Sequence, residues 1–91
     1  MSNLDDHRKQ MDQLNAKIYQ LCIERFEILE KISEIKKNKN MPIFNKDRHM
    51  EMLKKLHDQF QDIEHRKYID EIMDELFKKS LDYMKDHNSN G

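Results

Sequence analysis

LDDHRKQMDQLNAKIYQLCIERFEILEKISEI, residues 4–35, decides how this chain folds. Leu4, Met11, Ile18, Arg25 and Ile32 recur at seven-residue intervals, and His7, Leu14, Leu21, Ile28 and Ile35 form a second row three residues on. Two such rows are the a and d positions of a helix packed along its length. Ser2 or Asn3 can cap its start, with Asp5 and Asp6 in the positive first turn, while Lys36, Lys37 and Lys39 gather at its end.

The helix breaks at Asn40-Met41-Pro42, because Pro42 forces Met41 out of the α region. The spacing predicts three helices, over about 3–39, 46–61 and 64–86. The second should bury Met52, Leu53, Leu56, Phe60 and Ile63, and the third Ile69, Ile72, Met73, Leu76, Ser80, Tyr83 and Met84. No Gly or Pro separates these two helices. The tail Asn88-Ser89-Asn90-Gly91 is expected to fray. The fold class is therefore all-α, a single domain over 1–91, with one very long helix and two shorter ones.

Composition agrees. One Gly, one Pro, 38% charged residues and seven Met suit long helices, whereas 36% hydrophobic residues is thin for a self-sufficient core in 91 residues. A helix of about 35 residues is roughly 50 Å long, yet a compact globule of this size is only about 30 Å across. The overhanging apolar seam needs a matching helix from a second copy, so an intertwined homodimer is expected.

A net charge of −1 argues against a nucleic-acid or membrane-surface binder. The amino-terminal residues show no apolar segment of the kind found in signal peptides, and no apolar run could span a bilayer; the expectation is a cytoplasmic protein. Cys22, the lone cysteine, reads as a small buried hydrophobe. His49, His57 and His65 recur every eight residues without the i, i+4 spacing of a helical metal site, and no Gly-rich phosphate loop is present, so neither metal nor cofactor is expected.

Arg25 breaks the seam, standing where a heptad favours Ile or Val. It must meet an anion, either a Glu or Asp of the protein or a ligand. Lys36 projects from nearly the same face about 16 Å on, so the pair can hold a small dianion between them. Arg8 lies about 25 Å from Arg25 along the helix and can reach that site only from an antiparallel partner. Arg48, just after the break, can fold back as a fourth cation.

With these residues in place the chain resembles the all-helical class of chorismate mutases. The resemblance rests on Leu4-x3-Arg8-x2-Met11-Asp12-x-Leu14-Asn15-x2-Ile18, on Glu24-Arg25 and Lys36, on Pro42-Ile43-x3-Asp47-Arg48, and on Tyr68-Ile69 and Ser80. It covers nearly the whole chain, apart from a one-residue length difference between the second and third helices. It implies a two-fold dimer in which each site is lined by both subunits and binds a small dicarboxylate. Arg25 and the partner's Arg8 would grip carboxylates, Arg48 the ring-carboxylate and hydroxyl end, and Lys36 the ether oxygen of the breaking bond. Arg25 and Lys36 would be the catalytic pair, with Asn45, His49, Ser80 and Met84 also lining the substrate.

Three positions depart from the family pattern. His49 stands where Glu usually meets the ring hydroxyl, Met84 where Gln or Glu donates to the ether oxygen, and Asn45 where Asp is common. The resemblance thus implies a chorismate mutase converting chorismate to prephenate in aromatic amino-acid biosynthesis. Its alternatives are a relative acting on 4-amino-4-deoxychorismate (as a mutase) or isochorismate (as a pyruvate lyase), or a non-catalytic binding or regulatory dimer.

Overall fold

The structure, a computed structural model, describes residues 3–43 and 46–89. They form three helices, α1 Leu4–Asn38, α2 Lys46–Gln59 and α3 Arg66–Ser89, with no strand among the described residues. At the start of α1 the Asn3 side chain accepts a hydrogen bond from the Asp6 amide at 2.9 Å, satisfying one orphan donor of the first turn.

At the other end the backbone explains the break. Asn40 adopts φ 53°, a left-handed conformation that Asn tolerates. The Met41 amide donates to the Lys36 carbonyl at 2.8 Å and the Asn40 amide to Lys37 at 3.2 Å. That pairing is the Schellman closure of a helix, and Pro42 follows where the helix could not have continued.

The α2–α3 connection turns without Gly or Pro. Asp62 (φ 55°) and His65 (φ 62°) take the left-handed conformation instead, at a cost of about 1–2 kcal/mol each. The His65 carbonyl accepts from the amides of Tyr68 and Ile69, and the Arg66 guanidinium donates to the Phe60 carbonyl. The corner occupies residues 60–65, so α2 ends and α3 begins about two residues inside the expected bounds. Asn88 and Ser89 are the last residues of α3, and Asn90 and Gly91, the rest of the tail expected to fray, lie outside the described residues.

Helix α3 packs on the carboxy-terminal half of α1. Arg25 meets Ser80, the Phe26 ring lies edge-on to Tyr83 at 5.3 Å, and Ser33 meets Asn88, so the two helices run side by side in the same direction. Ser33 is the tightest point, 0% exposed, with its Oγ donating to Asn88 Oδ1 at 2.6 Å. Next to it His87 Nε2 donates to Glu34 at 2.7 Å and stacks on Tyr83. Helix α2 runs antiparallel to α3. His49 meets Phe77, and His57 Nε2 lies 3.0 Å from both carboxylate oxygens of Asp70.

Among the described residues nothing covers the amino-terminal half of α1. Leu4, Met11, Leu14, Ile18 and Leu21 are each more than half exposed. The radius of gyration is 16.7 Å, with extents of 59 × 28 × 16 Å, against about 12 Å for a compact domain of this length. The accessible surface is 7976 Å², against roughly 5,700 Å² for a compact protein of 11.2 kDa. Several expected core positions are also bare, since Phe60, Ile63, Ile69 and Ile72 are exposed and Cys22 is only half-buried. A lone subunit has nothing to lay over them. No helix of the described residues is long and apolar enough to cross a membrane.

Candidate active site

A cavity of about 830 Å³ opens between α1, the first turns of α2 and the middle of α3. Its walls bring together Arg25 and Lys36 from α1, Arg48 and His49 from α2, and Ser80 and Met84 from α3. These are six of the eight residues singled out in the sequence. Of the other two, Asn45 lies outside the described residues, and Arg8 does not line the cavity. Arg8 is exposed, and the 17 residues separating it from Arg25 on an unbroken helix correspond to about 25 Å.

Arg25 is held by neutral groups. Its Nη1 donates to Ser80 Oγ at 3.0 Å, while the Ser80 hydroxyl donates in turn to the Leu76 carbonyl at 2.8 Å. This relay fixes the hydroxyl so that its lone pair faces the guanidinium. The Phe77 ring flanks Arg25 with its centroid 6.0 Å from Cζ. Lys36 Nζ donates to the Ile43 carbonyl at 3.0 Å, tying the loop after α1 over the end of the cavity.

Among the described residues no carboxylate forms an ion pair with Arg25 or Lys36. The internal Glu or Asp partner that the sequence allowed for Arg25 is therefore not what the structure provides. Arg48 lies 3.7 Å from Glu51 one turn on, with both side chains more than half exposed. Such a surface pair contributes about 0–1 kcal/mol.

Axial levels follow from the parallel packing. Ser80 is level with Arg25, so Met84 stands about 6 Å further along, and Lys36 about 16 Å further along α1. Met84, 5% exposed, thus lines the stretch between the two cations. A thioether can fill that space but donates no hydrogen bond.

Phe77, Asp74 and Lys78 also line the cavity and were not singled out from the sequence. Phe77 and Asp74 precede Ser80 by three and six residues, the spacing of one helix face, and that periodicity was the available signal. The walls carry four cationic side chains, Arg25, Lys36, Arg48 and Lys78, against one carboxylate, Asp74. Apolar side chains such as Ile28 and Leu29 fill the space between, so an anion entering would exchange water for fixed donors beside a low-dielectric wall.

Three helices, no strand among the described residues and a cleft walled by four cationic side chains define a class, the small all-α proteins. Within that class the chain belongs to the chorismate mutase type II family, whose model matches residues 7–85. Comparisons with curated proteins and with solved structures returned no match.

Proposed function

We propose that this chain is a chorismate mutase, converting chorismate to prephenate, and that it works as an intertwined homodimer with Arg8 of each chain completing the other's cavity. The observation that carries the reading is the neutrality of the partners of Arg25 and Lys36. Two cations on one cavity wall, satisfied by a hydroxyl and a carbonyl, leave their charge for a ligand, and chorismate brings two carboxylates.

The rearrangement forms one C–C bond as one C–O bond breaks within a single molecule. Catalysis then lies in holding the folded conformer and in stabilising negative charge on the enolpyruvyl oxygen. Arg25 keeps most of its five donors for carboxylate after its bond to Ser80. Lys36 can exchange the Ile43 carbonyl for the ether oxygen, a contact that strengthens as charge develops. Dimerisation is supported by the roughly 2,300 Å² by which the surface exceeds that of a compact monomer, within the range of obligate interfaces.

A second reading draws on His49 and Met84. Both line the cavity where the family pattern has Glu and Gln, which suits a different ring substituent, as in 4-amino-4-deoxychorismate or isochorismate. Incubating purified protein with chorismate and these two compounds in parallel, and identifying products by NMR, separates the readings. Prephenate from chorismate at the highest kcat/KM supports the first. Preference for another compound supports the second, and turnover of none leaves a binding module.

A further inference from the structure

We infer that Phe77 is a positioning residue, an aromatic key through which α3 sets the His49 imidazole of α2 and the Arg25 guanidinium of α1 in register. The inference rests on the proposed function for its kinetic consequences, though not for its geometry. Phe77 is 9% exposed, one of two buried hydrophobic side chains among the described residues. Its ring packs T-shaped with the imidazole of His49, with centroids 4.9 Å apart and planes at 81°. Arg25 Cζ lies 6.0 Å from the same ring.

The two contacts do different work. Arg25 is held by α3 at two points about one turn apart, the Ser80 hydroxyl and the Phe77 ring. A hydrogen bond alone fixes one nitrogen and leaves the guanidinium plane free to swing; an aromatic neighbour restricts the swing without consuming a donor. The His57–Asp70 pair joins α2 to α3 two turns away from the cavity end. At the cavity end the His49–Phe77 contact ties the first turn of α2, carrying Arg48 next to His49, to α3. Edge-to-face packing needs a ring quadrupole, so an aliphatic side chain of similar bulk would fill the space without fixing the angle.

The test combines kinetics with side-chain dynamics in the full-length protein. Phe77→Leu should lower kcat/KM for chorismate about tenfold, chiefly through kcat, because misorientation penalises the transition state more than binding. Phe77→Tyr, which keeps the ring, should recover most of the loss. His49→Leu should cost a comparable factor, and the double variant less than the product of the two, because both remove one contact. Independently of turnover, 15N relaxation of the Arg25 Nε–H group should report lower order in Phe77→Leu than in wild type and Phe77→Tyr.

If the wild type converts none of the three substrates, the proposed function fails, and the relaxation experiment alone decides this inference. Unchanged Arg25 order in Phe77→Leu overturns it, as does kcat/KM within twofold of wild type in an active enzyme. Should Phe77→Leu not fold, His49→Leu carries the test, with unchanged kcat/KM in an active enzyme, or unchanged Arg48 Nε–H order in an inactive one, overturning it.

Discussion

Replacing Met84 with Gln puts a hydrogen-bond donor where the cavity has a thioether. The residue lines the wall about 6 Å beyond the level of Arg25 and about 10 Å short of Lys36, within the span a ligand bridging both would occupy. Gln and Met differ little in volume, so the 5% exposed site should accept the change without a new void. The amide faces a cavity rather than a closed core, so it avoids the roughly 1–3 kcal/mol cost of a buried unsatisfied group. One oxyanion-type donor is worth about 10²–10³ in rate. If the second donor reaches the ether oxygen, kcat should rise up to about 10²-fold with KM little changed. Steady-state kinetics on chorismate, with Met84→Leu as the control for shape, reads the effect. A Met84→Gln protein that folds and binds yet leaves kcat within twofold of wild type would refute the reasoning.

Three further outcomes are expected. Light scattering at micromolar concentration should give a particle of twice 11.2 kDa, and a stable folded monomer would contradict the dimer. Lys36→Ala should remove nearly all turnover of chorismate, since the cavity loses both its ether-oxygen donor and the tie to Ile43; activity within tenfold of wild type would argue against that role. Asn88→Ala should lower stability by about 1–3 kcal/mol in chemical denaturation, because it strands the Ser33 hydroxyl at 0% exposure; an unchanged midpoint would show that the hydroxyl finds another acceptor.

Much of this architecture is legible because it follows local rules. The seven-residue rows mark α1, and Asn40-Met41-Pro42 spells a left-handed closure followed by a residue that cannot continue the helix. Arg25 could be noticed because a cation in an apolar row is costly, and the parallel packing of α1 on α3 then supplies it with Ser80. The α2–α3 corner was harder to read, since Asp62 and His65 take a backbone conformation that their side chains do not announce. Phe77 stands outside the apolar stripe expected for the third helix, and its meeting with His49 and Arg25 depends on tertiary geometry. Ile69 and Ile72 belong to an apolar pattern, yet periodicity does not say which molecule covers a face. The bond from Ser33 to Asn88 spans 55 positions, and nothing in either residue's neighbourhood foretells it.

Complementation between two inactive variants tests the shared-site mutase most directly. Arg8→Ala and Arg25→Ala should each abolish conversion of chorismate to prephenate. When equimolar amounts are mixed and subunits exchange, about half the dimers are mixed, and each has one cavity with both mutations and one with neither. The account predicts recovery to about one quarter of wild-type prephenate formation. No recovery, with exchange confirmed by mass spectrometry of the intact dimers, would contradict it.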